Sequence, residues 1–72
     1  MDNTEFDVEV RRKKQLARKI LKGKRAEKEF LCDQIEVCEG LFLPLTEEMI
    51  RRLALLPLRE MKRATTRHKQ FA

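Results

Sequence analysis

Between residues 8 and 22 the apolar positions Val10, Leu16, Ala17, Ile20 and Leu21 fall on one arc of a helical wheel, while Arg11, Lys14, Arg18 and Lys22 recur on the other. That spacing predicts an amphipathic, strongly basic first helix. Asp7 is placed to cap it, the acids before it suit the positive end of the helix dipole, and Gly23 stands where a left-handed stop is expected. Lys13 alone sits on the apolar side.

Residues 26–38 predict a second helix, with Phe30, Leu31, Ile35 and Val37 apolar, Glu29, Asp33 and Glu36 opposite, and Gly40 as terminator. The alternation over 34–38 also suits a short strand, because Ile and Val are β-branched and five residues do not settle a period. Leu41-Phe42-Leu43-Pro44-Leu45 is no helix interior, since Pro44 lacks an N–H and restricts its predecessor; it reads as an extended connector that threads through the core, in preference to lying exposed as a docking patch. Thr46 is then an N-cap for a third helix over 47–56. Glu47 and Glu48 occupy its first turn, Leu45 is positioned to staple onto Ile50, and Glu47–Arg51 and Glu48–Arg52 are i,i+4 pairs. Met49, Ile50, Leu53, Ala54 and Leu56 form its apolar face. Pro57 ends or restarts the helix, and residues 58–65 predict a short basic fourth segment.

The expected fold is therefore all-α, a single small domain of three to four helices over 1–72. Its ends are expected to be flexible: a mobile acidic stretch at 1–6 and a disordered tail at 66–72, where periodicity is lost. The longest apolar runs are far short of the ~20 residues of a spanning helix, so no membrane partner is expected.

Charge changes the picture, because it comes in blocks. Residues 1–9, 10–28, 29–48 and 49–72 carry net charges of −4, +9, −6 and +6, for a chain total of +5. Blocks this polar create separate fields able to meet separate partners. The chemistry needed for catalysis is scarce by comparison. Ser, Tyr and Trp are absent and the single histidine is His68, near the C-terminal end, so no catalytic residue, cofactor or small-molecule substrate is expected. Cys32 and Cys38 lack CxxC spacing and, on a helix, point about 120° apart; they read as small buried hydrophobes, not metal ligands. Reduced thiols and an N-terminus unlike a secretory leader place the expected location in the cytoplasm.

The candidate site is the basic run. Arg11, Arg12, Lys14, Arg18, Lys19, Lys22, Lys24 and Arg25 form a density of charge greater than a merely solvated face requires, and suited in preference to that either to phosphates, with release of counterions, or to an acidic protein surface. No aromatic lies within the run, which disfavours single strands that need a stacking platform. A helix-turn-helix fits poorly: the connector carries Pro44, and the third helix opens on Glu47 and Glu48, where a recognition helix meets phosphates.

The acidic start Met1-Asp2-Asn3-Thr4-Glu5, the basic helix from Arg11 to Arg25, the acidic middle and the basic end, all within 72 residues, resemble the small transcription regulators that bacteriophages direct against host machinery. The resemblance covers the whole chain in character and carries no binding residue by alignment. It implies a non-enzymatic protein in the host cytoplasm that binds bacterial RNA polymerase, inhibits promoter initiation and alters termination.

Overall fold

A computed structural model describes residues 3–70 of the chain, with side chains over 5–67. Among them run four helices and no strand: α1 (Asn3–Ile20), α2 (Arg25–Gly40), α3 (Glu47–Ala54) and α4 (Leu58–Gln70). The predicted all-α class holds, and residues 34–38 are helix, so the strand alternative is excluded. α1 and α2 pair antiparallel: Lys13 and Lys14 of the first meet Glu39 and Glu36 of the second. α3 packs on both, while α4 packs on α2 and α3 and does not touch α1.

The core joins Val10, Ala17 and Leu21 of the first helix region to Leu31, Cys32, Ile35 and Cys38 of α2, Ile50, Leu53 and Ala54 of α3, and Met61 of α4. Both cysteines are buried in it, where small apolar side chains would stand. Leu45 is fully buried with Ile50, as a staple requires, and the Thr46 hydroxyl accepts the Met49 N–H at 3.2 Å. Gly23 at φ +84° closes the end of α1, the predicted stop.

Several expectations need correction. The first helix begins at Asn3, upstream of the predicted start, so Asp7 lies inside the helix instead of capping it. Phe6 stands one turn before Val10 but is 42% exposed, so the packed seam of Val10, Lys13, Ala17 and Leu21 starts at Val10 and the first turns of the helix extend beyond the core. The last helix runs to Gln70, five residues past the predicted end at Thr65. Buried Thr65 takes the place of an apolar residue on the inward stripe of Leu58 and Met61, and its hydroxyl donates to the Met61 carbonyl at 3.0 Å. The expectations for Met1, Asp2, Phe71 and Ala72 lie outside the described residues. The third helix stops at Ala54, two residues early, and Glu47 faces Arg12 at 3.9 Å while the expected Glu47–Arg51 pair is not made.

The largest difference is at the end of α2. Gly40 is its last helical residue, not the terminator, and Phe42 takes the left-handed conformation at φ +60°. The Leu43 N–H donates to the Cys38 carbonyl (2.8 Å) and the Phe42 N–H to the Glu39 carbonyl (3.1 Å), the two bonds of a Schellman closure with Phe42 at C′. The apolar connector is consequently not all core: Leu45 is buried and Leu43 half-buried, but Leu41 and Phe42 are exposed.

Candidate partner-binding face

The basic run divides in two along α1. Lys13 lies on the inward seam, and its ammonium reaches Glu39 at 2.5 Å with both side chains only 11% exposed. The same Glu39 oxygen accepts the Leu45 N–H at 3.2 Å, so one carboxylate ties α1, the end of α2 and the entry to α3 together. Nearby, Lys14 holds Glu36 at 2.5 Å, and Arg12 holds Glu9 at 2.6 Å with Glu47 beyond it. The hydrogen bond from Lys14, followed by its charge, draws the Glu36 carboxyl below the usual carboxylate range. Over this first half, acids of the chain answer Arg12, Lys13 and Lys14.

Past Ala17 they do not. Lys19, Lys22 and Lys24 are exposed and make no ion pair among the described residues, and neither does half-buried Lys28 in the second turn of α2. Arg25 reaches only its own helix neighbour Glu29, at 3.2 Å, with both side chains mostly in water. Arg11, on the outward face of α1, is likewise without an ion pair. Arg18, Arg25 and Lys28 line one shallow depression with Gly23 and Cys32. Burial pushes the Cys32 thiol up, against the opposing pull of Arg18 and Lys14, so it remains protonated where an exposed thiol begins to ionise.

The fold also adds cations that the linear run does not contain. The Lys62 ammonium sits 5.9 Å from the centre of the Phe30 ring, placing α4 beside the beginning of α2. Lys62, Arg63 and Arg67 border a further open depression on α4. The cationic face is thus built from the end of α1, the Gly23 turn, the start of α2 and one side of α4. Of the eight predicted residues, Arg11, Arg18, Lys19, Lys22, Lys24 and Arg25 belong to it or adjoin it. Arg12 and Lys14 are held by acids of the chain itself. Lys28, Lys62, Arg63 and Arg67 were missing from the sequence prediction; the only signal for the α4 residues is the positive charge of the last block.

A second feature lies between α3 and α4, an apolar groove of about 420 Å³ floored by Leu45, Met49, Leu53, Leu56 and Ala64 and edged by Arg52 and Arg67. Among the described residues, no group of three or more His, Cys, Asp or Glu side chains is placed to hold a metal, and no helix is long and apolar enough to cross a membrane. No protein-family model, curated protein or solved structure matches the chain.

Proposed function

We propose that this protein is a non-enzymatic transcription regulator that acts by stoichiometric binding, its cationic face docking on an acidic surface of bacterial RNA polymerase, inhibiting initiation and altering termination. The observation that carries the binding half of this reading is the sorting of the bases. Acids of the fold hold Arg12, Lys13 and Lys14, whereas Lys19, Lys22, Lys24 and Lys28 are left unpaired on one contiguous end. Unpaired like charges at one end repel one another and add nothing to folding, so their concentration there supports an external anionic partner. The polymerase as that partner rests on the whole-chain resemblance.

The test uses purified polymerase and promoter-dependent transcription in vitro. Replacing Arg11, Lys19, Lys22 and Lys24 by Glu reverses the free charges and leaves the ion pairs of Arg12, Lys13 and Lys14 in place, so the helical circular dichroism should persist. Polymerase retention and inhibition of transcription should both disappear. Retained inhibition by the reversed protein would remove the cationic face from the mechanism.

Direct nucleic-acid binding is the second reading, favoured by one observation: the free cations are mainly lysines with no exposed aromatic among them. Such a surface resembles phosphate contact more than the Arg- and aromatic-rich centre of a protein interface. A gel shift with duplex DNA and structured RNA separates the two readings. Sub-micromolar binding with a steep salt slope promotes the nucleic-acid reading; no shift alongside polymerase retention after nuclease treatment supports the first.

A further inference from the structure

The chain carries an apolar knob and an apolar hole, and neither has an occupant among the described residues. The knob is the tip at the end of α2. Phe42 is 84% exposed at φ +60°, and its neighbour Leu41 is 53% exposed. A bulky residue in the left-handed region is strained, because its Cβ crowds the carbonyl that follows; glycine is the usual occupant of this position. Phe42 therefore combines backbone strain with a ring left in water. The fold requires neither, since Gly23 meets the same geometric need after α1 at φ +84°. Strain kept at an exposed aromatic is the mark of a contact surface.

The hole is the groove between α3 and α4. Its floor of Leu45, Met49, Leu53, Leu56 and Ala64 is nearly all carbon, and its volume of about 420 Å³ accommodates a phenyl ring with an adjoining leucine. The match between the two is apolar: five of the six acids in residues 29–48 are held by bases of the chain, Glu39 beside the tip among them, so the tip brings carbon and no free charge to a groove edged by Arg52 and Arg67. Arg52 is engaged with Glu48 at 2.7 Å, and Arg67 makes no ion pair among the described residues.

We propose that the occupant of the groove is a second copy of this chain: the Leu41–Phe42 tip of one protomer seats between α3 and α4 of its partner. A two-fold arrangement makes the contact twice and closes the assembly, whereas a head-to-tail one would continue into chains. Self-association also suits a domain of this size, whose own core is small and gains from apolar area buried between copies. The inference does not depend on the proposed function.

Sedimentation equilibrium of the full chain from micromolar to millimolar concentration tests it. The mass should rise from 8.6 kDa towards twice that value. Phe42→Gly should weaken association by roughly tenfold or more while raising the unfolding midpoint of the monomer, because it relieves the strain and removes little buried area. Phe42→Leu should keep most of the association. Leu56→Glu, at a groove position already 38% exposed, should abolish it from the other side with the helical dichroism intact. Mixing the Phe42→Gly and Leu56→Glu proteins restores one intact tip facing one intact groove, and a weak heterodimer should form. A wild type that stays monomeric at millimolar concentration overturns the proposal. So does Phe42→Gly associating as tightly as the wild type, or Leu56→Glu doing so.

Discussion

The two halves of the basic run carry the same kinds of side chain to different ends. Between Val10 and Lys14 three of the four bases, Arg12, Lys13 and Lys14, point at acids from other helices, Glu47 on α3 and Glu39 and Glu36 on α2, and only outward-facing Arg11 does not. From Arg18 to Lys24 comparable residues face water without an acid from another helix. A run of charge in a sequence is therefore not yet a charged surface. What a partner meets is the remainder after the fold has neutralised its share, and the helix changes from one role to the other within about two turns.

Lys13 is where that contrast breaks with the largest effect. Removing one member of a buried pair leaves its partner charged and unsatisfied, so Lys13→Ala should cost about 3–5 kcal/mol, a large part of the stability of a small domain. Glu39→Ala should be at least as damaging, because the Leu45 N–H loses its acceptor as well. The double replacement Lys13→Met with Glu39→Gln should recover much of the loss, since it buries no charge and keeps an acceptor. Urea denaturation followed by circular dichroism reads all three. A single Lys13→Ala within 0.5 kcal/mol of the wild type, a margin ordinary for surface changes, would show that the pair does not organise this end of the fold.

Much of the architecture was legible locally. The apolar arcs marked the helices, Thr46 with Leu45 marked the start of α3, and Gly23 marked the end of α1, because each signal is written within a few residues of the structure it specifies. The site was only half legible. Lys13 looked misplaced because its partner lies 26 residues away, and sequence spacing within one helix does not reveal an acid on another. The end of α2 misled for a related reason. Gly40 was the obvious stop by residue type, yet the closure falls at Phe42, where exposure and backbone conformation contradict what a phenylalanine ordinarily signals. Thr65 hid the length of α4 by filling an inward position with a hydroxyl whose partner is its own helix.

Effects about a third as large are expected at the α3 cap. The Thr46 hydroxyl serves one backbone N–H at an exposed helix start, so Thr46→Ala should cost ~1 kcal/mol and Thr46→Ser much less. A loss equal to that of Lys13→Ala would mean that α3 docks through its first turn more than through Ile50 and Leu53. On the free half of the basic run the expectation is smaller again: Lys19→Ala and Lys22→Ala should each stay within about 0.5 kcal/mol of the wild type in denaturation while weakening binding to the anionic partner. Loss of stability at either position would bring it into the first group.

The smallest effect lies at the boundary between the halves, and it is read by pH. Lys14 is the last base of α1 joined to an acid of another helix, and its hydrogen bond and charge hold the Glu36 carboxyl below the ordinary range. Because the folded value is depressed, this pair stabilises the protein above the unfolded carboxylate value of about 4.3 and ceases to do so as pH falls through the lower folded value. Glu36 is well exposed, so the contribution is a shallow dependence at the acid edge. Nuclear magnetic resonance titration of the Glu36 side chain should give a midpoint under the model-peptide value in the wild type. Lys14→Met should return it to that value, and Lys22→Met should leave it unchanged. If Lys14→Met does not move the midpoint, Lys14 belongs with the unpaired bases, and the cationic face begins one turn earlier along α1.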